Sequence, residues 1–250
     1  MSAYQYIAYP FDVIKTNRII NSNFNKECGE NLGRELVTLY ERGSFRNGGY
    51  RGMMPLFGIT AINNVFGGFH FDATGIKLVI CTALSQPLNN MMTQRQVISG
   101  GAMSEPGYRG LMNNGANLPR LCTLGFTAAL ARNAFLMGAF LPKTLGNESL
   151  TTDIGFAFGA VLLSHPFEVA RTLIVCNESS GMLGSTIGTL RTLFATEGVA
   201  GLYRGFIPRS ITMFPLLLSL TTMAHSGANE DLLSGVRTNP LLMSLKLSSA

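Results

Sequence analysis

The chain contains a unit that recurs three times, and this repetition constrains its fold more than any other feature. The tripeptide Tyr-Arg-Gly occurs three times, and two copies continue to a proline, as YRGMMP and YRGFIP. A proline-centred segment precedes each copy, and these prolines lie about 80 residues apart, a regular spacing that indicates a repeat architecture. The motif residues are Tyr50, Arg51, Gly52, Tyr108, Arg109, Gly110, Tyr203, Arg204 and Gly205, and the prolines are Pro10, Pro87 and Pro166.

The composition places these repeats in a membrane protein. Charged residues make up 13% of the chain, about half of the roughly 25% usual in soluble domains. The mean hydropathy is +0.24, which excludes intrinsic disorder and coiled coil. A helix needs about 20 mostly apolar residues to cross a bilayer. Five stretches approach this requirement: 53–71, 78–94, 121–142, 154–167 and 210–229.

The proline segments carry charges at a fixed spacing. Residues 10–15 read PFDVIK and residues 166–171 read PFEVAR, so an acid and a base lie three residues apart on one helix face. Residues 197–209 read EGVAGLYRGFIPR. In these motifs the chain closely resembles the mitochondrial carrier family, and the resemblance extends over residues 4–226.

The resemblance implies an all-α, multi-pass membrane protein of the mitochondrial inner membrane, folded as a three-fold pseudo-symmetric bundle of six helices. Repeat 1 then covers residues 1–71, repeat 2 covers 72–142 and repeat 3 covers 148–226, while 227–250 form a C-terminal tail. Repeat 2 is short between its proline and its Tyr-Arg-Gly, so we expect its matrix helix to be missing or vestigial. Few residues precede the first proline, so we expect a truncated first helix unless translation starts further upstream.

In the resembled family, the proline motifs form a gate on the matrix side, where the acid of one repeat pairs with the base of the next. Here Asn89 and Met92 replace the acid and the base of the second motif. The family pattern therefore predicts one surviving bridge, Lys15 to Glu168, with the other acid facing Met92 and the other base facing Asn89. The gate residues implied in this way are Pro10, Asp12, Lys15, Pro87, Pro166, Glu168 and Arg171.

The Tyr-Arg-Gly copies precede spanning helices, where free backbone N–H groups, the helix dipole and an arginine can hold an anion. By resemblance, this anion is a cardiolipin phosphate, and bound cardiolipin is the one cofactor-like group expected. An alternative interpretation is that Tyr and Arg anchor the helix ends at the membrane interface. Both interpretations make membrane lipid a partner.

Substrate contacts in the family lie about two helical turns beyond the motif glycine. Counting seven residues from each glycine reaches Ile59, Asn117 and Thr212, none of which is charged. Arg132 lies inside a predicted span, and a charge in the membrane is a candidate functional group. Its long side chain can either line the cavity or extend to the interface.

Two functional hypotheses follow. The first is a carrier-fold protein without transport activity, acting as a lipid-binding accessory or structural subunit of a larger inner-membrane complex, plausibly of the respiratory chain, with the tail as a docking segment. The second is a transporter of a neutral or cationic metabolite. No nucleophile with a paired base, phosphate loop or metal cluster supports an enzyme. The basic residues are scattered, so nucleic acid is not expected as a partner.

Overall fold

The computed structural model describes residues 3–20, 31–47, 50, 53–67, 74–96, 122–140, 149–176 and 185–225. Within these residues all regular structure is helical. Eight α-helices are described, followed in one case by a short 3-10 helix, Gly138–Phe140. They are α1 Ala3–Ile20, α2 Leu32–Asn47, α3 Met54–Gly67, α4 Thr74–Gln96, α5 Phe126–Met137, α6 Leu150–Cys176, α7 Thr186–Leu202 and α8 Phe206–His225.

The helices can be placed relative to the sequence motifs. The three motif prolines lie inside α1, α4 and α6. The helices α2 and α7 lie between a proline helix and the next Tyr-Arg-Gly copy. Each begins at a polar cap: the Asn31 Oδ1 accepts from the backbone N–H of Gly33 at 3.0 Å, and the Ser185 Oγ accepts from that of Gly188 at 3.0 Å. Such caps satisfy backbone donors that have no partner within the helix.

The long helices pack side by side in a ring. Helix α3 contacts α4, α4 contacts α5, α5 contacts α6, α6 contacts α8, and α8 contacts α1. An apolar cluster closes the ring, because Leu56 of α3 packs against it together with Met53, the residue before α3. The cluster's other buried residues are Tyr9, Val13 and Ile14 of α1 and Leu39 of α2. The proline helices α1, α4 and α6 also contact one another. The bundle is thus all-helical, as expected, while its three-fold pseudo-symmetry stays a prediction.

The third Tyr-Arg-Gly copy fixes the contact between α8 and α1. Gly205 has a φ of 77°, a left-handed conformation that disfavours other residues. A Cβ at this position would lie 3.1 Å from the Lys15 carbonyl oxygen. The glycine therefore permits both the turn into α8 and the close approach of α8 to α1.

The predicted spans fall on described helices but differ in hydropathy. Among the described helices, α6 alone is long and apolar enough to cross a membrane by these two measures, and residues Phe206–Leu218 of α8 form a shorter apolar stretch. Helix α4 is less apolar because it carries buried polar side chains that face its neighbours, among them Gln86, Asn90 and Gln96. The expected loss of the second matrix helix concerns a segment outside the described residues.

Candidate functional site

The proline helices meet at a buried carboxylate, Glu168 of α6. The Lys15 Nζ of α1 donates to the Glu168 Oε1 at 2.8 Å, although the two residues lie far apart in the sequence. Both side chains are at least nine-tenths buried. The predicted contact between these two residues is therefore confirmed, while their role as a gate stays a prediction.

A second cation, Arg132 of α5, holds the other oxygen of the same carboxylate. Its Nη1 donates to the Glu168 Oε2 at 2.8 Å. Its Nε and Nη2 donate to the Asn133 Oδ1 at 3.0 and 2.8 Å, and the Asn133 amide donates to the Thr82 Oγ1 of α4 at 2.9 Å. One carboxylate thus joins three helices, a connection that the family pattern did not predict.

Neutral side chains of α4 replace the missing charges of the second motif. The Arg171 Nη2 donates to the Asn90 Oδ1 at 3.1 Å and to the Thr93 Oγ1 at 3.4 Å. The Arg171 Nη1 lies 3.8 Å from the Glu168 Oε2. The family pattern had placed Arg171 opposite Asn89, whereas its partner on α4 is the next residue along the chain.

Helices α1 and α4 are joined by hydrogen bonds between neutral groups. The Thr16 Oγ1 donates to the Gln96 Oε1 at 2.7 Å, and the Asn17 amide donates to the Gln96 carbonyl oxygen at 2.8 Å. Asp12 lies 3.3 Å from the Nζ of Lys15 on its own helix. Met92, which was expected opposite Asp12, packs against the apolar cluster of α1 and α2.

A third polar connection links α6 and α8. Arg209 is buried, and its Nη2 donates to the Ser164 Oγ at 2.8 Å. Its Nη1 lies 3.3 Å from the His165 Nδ1, and the His165 Nε2 lies 3.1 Å from the Arg204 carbonyl oxygen. A carbonyl only accepts, so His165 carries its proton on Nε2 and accepts from Arg209 at Nδ1. His165 and Arg209 therefore lie between α6 and α8, beside the turn formed by the third Tyr-Arg-Gly copy.

Glu168 and the three cations around it, Lys15, Arg132 and Arg171, form the Glu168 cluster. A cavity of about 310 Å³ adjoins this cluster. Of the four predicted cavity contacts, Ile59 and Arg132 line it. Thr212 lies elsewhere, buried in α8 with its hydroxyl donating to the Arg209 carbonyl oxygen at 2.8 Å, and Asn117 is outside the described residues. The lining comprises Ile59, Leu78, Cys81, Thr82, Ser85, Asn89, Arg132, Asn133, Leu136, Met137 and Leu217.

The third Tyr-Arg-Gly copy lines a separate pocket of about 450 Å³. Tyr203, Arg204 and Gly205 contribute to it, together with Arg18 and Glu197. Arg204 pairs with Glu197 and lies 3.5 Å from the Ile19 carbonyl oxygen. The ring of Tyr50, from the first copy, stacks at 6.2 Å on that of Tyr9. The other predicted lipid-binding residues lie outside the described residues: Arg51, Gly52, Tyr108, Arg109 and Gly110.

A helical bundle with motif prolines in three helices and a charged cluster where these helices meet is consistent with a carrier-type membrane protein. Residues 154–224 match the family model of the mitochondrial carrier protein. In this segment, which lies in the third repeat, the chain is similar to the mitochondrial carrier family.

Curated relatives match short segments of this chain. Mitochondrial thiamine pyrophosphate carrier 1 of Candida albicans is 33% identical over 67 residues, which is 27% of this chain and 22% of that carrier. A probable mitochondrial adenine nucleotide transporter of Arabidopsis thaliana is 35% identical over 81 residues, 30% of this chain and 19% of the relative. Substrate carrier family protein S of Dictyostelium discoideum is 38% identical over 61 residues, 24% of this chain and 21% of the relative. The chain thus matches about a fifth of each relative's length.

Proposed function

We propose that this chain is a multi-pass protein of the mitochondrial inner membrane that keeps the carrier fold without transporting a solute. In this proposal it is a lipid-binding accessory subunit of a larger inner-membrane complex, such as one of the respiratory chain. The observation that carries the proposal is the binding of the cavity cation, Arg132, to Glu168 at 2.8 Å. The charged group best placed to hold a solute is already engaged by the protein itself.

The same cluster opposes the movement that transport requires. Opening the bundle between its proline helices would separate Glu168 of α6 from Lys15 of α1, or Arg171 of α6 from Asn90 of α4. Separating a buried charge from its partner leaves it without compensation in a medium of low dielectric constant. The described hydrogen bonds between α1 and α4 join neutral groups and therefore do not offset this loss. We infer that the cluster holds the bundle shut as a structural element.

The pocket beside the third Tyr-Arg-Gly copy supports the lipid-binding part of the proposal. It combines the guanidinium groups of Arg18 and Arg204, which also pair with Glu35 and Glu197, with the N-terminus of α8, whose helix dipole favours an anion. Phe206 and Ile207 add apolar surface to the same pocket. A cardiolipin phosphate with its acyl chains fits this combination of charge and apolar surface.

Native electrophoresis tests the assignment as a subunit. Mitochondria are solubilised in digitonin, and the position of this chain on the gel is found by mass spectrometry, with an abundant monomeric carrier on the same gel as the reference. We expect the chain to comigrate with a large complex and to remain there after a salt wash. Migration beside the monomeric reference, in keeping with a mass of 26.9 kDa, would remove the subunit assignment.

The cavity favours a second candidate function, the transport of a neutral or cationic metabolite. Its lining contributes the amides of Asn89 and Asn133 and the hydroxyls of Thr82 and Ser85 beside apolar side chains. These groups can bind a small polar solute without a charge of their own. Transport also requires the Glu168 cluster to open and close, which distinguishes this candidate from the first.

A further inference from the structure

We propose that the cavity of about 310 Å³ binds a small uncharged solute that carries an amide or hydroxyl group, and that Glu168 sets this preference by neutralising Arg132. The inference concerns binding alone. It applies whether the protein is a static subunit or a transporter, because both share the cavity. It narrows the second candidate function, the transport of a neutral or cationic metabolite, to a neutral solute.

The polar contact available to a solute is Asn89. This residue lines the cavity, is half-buried, and its carboxamide makes no hydrogen bond to any residue that the structure describes. A carboxamide offers both a donor and an acceptor. Thr82 adds a hydroxyl that accepts from Asn133 and keeps its own hydrogen available for donation. A neutral amide or hydroxyl group on the solute can satisfy both residues.

The charge balance at the end of the cavity disfavours anions. All three nitrogens of the Arg132 guanidinium are engaged, one by Glu168 and two by Asn133. An anion can reach only the N–H groups of Arg132 that Glu168 and Asn133 leave over, and full pairing with the guanidinium requires exchange with the Glu168 carboxylate. Removing an established partner from a buried charge makes this exchange unfavourable.

The same balance disfavours cations. No carboxylate belongs to the described lining of the cavity. The nearby Glu168 is already surrounded by Lys15, Arg132 and Arg171 at 2.8, 2.8 and 3.8 Å. A cationic solute would meet Arg132 in the cavity wall, with no carboxylate in the described lining to hold it. The cavity therefore favours an uncharged solute over an anion or a cation.

Three probes that share one ring and differ in charge test this preference. Nicotinamide is neutral, nicotinate is an anion and 1-methylnicotinamide is a cation. The full chain is purified in detergent, and its Tm is measured with each probe at the same concentration. Nicotinamide should raise the Tm by about 2–4 °C when it is near saturation, and the charged probes should leave it unchanged. Equal stabilisation by nicotinate, or no stabilisation by nicotinamide, would overturn the proposal.

Variants assign the preference to its residues. Asn89→Leu should abolish the shift caused by nicotinamide, and Asn89→Asp should create a shift with 1-methylnicotinamide. Glu168→Gln should create a shift with nicotinate, because Arg132 then lacks its carboxylate. Arg191→Gln, on an exposed position of α7, is the matched control and should behave like the unaltered chain.

The outcome is decided even if Glu168→Gln does not fold, because the two Asn89 variants test the same cavity. An unchanged nicotinamide shift in Asn89→Leu would contradict the assigned contact. Failure of the subunit assignment appears as a change of migration on the native gel. Failure of this inference appears as an absent or unselective Tm shift, so the two results remain separate.

Discussion

Replacing Glu168 by Gln is expected to lower the free energy of unfolding by about 3–5 kcal/mol, the range for breaking a buried charge pair. The substitution keeps the size of the side chain and removes its charge. Lys15 and Arg132 each lose a partner at 2.8 Å, and Arg171 loses one at 3.8 Å. The remaining cations then repel one another within a buried cluster, which makes this the most damaging single change in the proposed gate.

Thermal or denaturant unfolding in detergent measures this effect. Glu197→Gln is the control, because its partner Arg204 is more than one-third exposed. An exposed pair contributes about 0–1 kcal/mol, so the control should differ little from the unaltered chain. Adding Arg132→Gln to Glu168→Gln should restore part of the lost stability, since one of the unpaired cations is removed. If Glu168→Gln and Glu197→Gln have equal effects, the cluster does not hold the bundle together.

The second large effect is expected for Glu35→Gln, which should destabilise the protein by about 3 kcal/mol. Glu35 of α2 has no exposed surface. Its two carboxylate oxygens accept from the Nε and Nη2 of Arg18 at 2.7 and 2.8 Å. The change weakens this paired geometry and leaves the Arg18 charge buried at the end of α1. Helix α2 should therefore separate from α1 before the rest of the bundle unfolds.

Hydrogen exchange of the α2 backbone amides, followed by mass spectrometry, measures this local separation. Exchange in α2 should accelerate strongly in Glu35→Gln, while exchange in α6 should change little. Glu41→Gln is the matched control, since Glu41 lies on the same helix and is exposed. Acceleration of the same size in both variants would show that the buried pair is not what holds α2 in place.

The helices and the contact between Lys15 and Glu168 could be predicted from the sequence. The proline motifs define three helices, and the spacing of acid and base within them places both on one face. The first and third repeats are longer than the second between the proline and the Tyr-Arg-Gly, and α2 and α7 are found in these two longer segments. These features depend on local patterns that recur along the chain.

The partners on α4 could not be predicted in the same way. Asn89 and Asn90 are adjacent, and consecutive residues of a helix point about 100° apart. Which of the two meets Arg171 therefore depends on the rotation of α4 about its axis, which packing decides. A pattern was nevertheless present, because Asn90 and Thr93, which contact Arg171, and Gln96 recur every third residue. Such a polar face in a predicted span indicates contacts inside the bundle.

Arg132 shows a second reason why some contacts could not be predicted from the sequence. Its long side chain left two interpretations open, the cavity or the membrane interface. The structure places it in the cavity wall, where it binds Glu168 of the next helix. The distance between α5 and α6 determines whether this ion pair can form, and the spacing of residues along the chain does not encode that distance.

The central claim is that the Glu168 cluster holds the bundle shut. The measurement that tests it most directly is the accessibility of Cys81, which lines the cavity. Cys28, Cys122 and Cys176 are changed to Ser, and a membrane-impermeant thiol reagent is applied to either face of sealed vesicles. A bundle held shut by Glu168 predicts that Cys81 is labelled from one face only, whatever solute is present. Labelling from both faces, or solute-dependent transfer from one face to the other, would contradict this account and establish a working carrier.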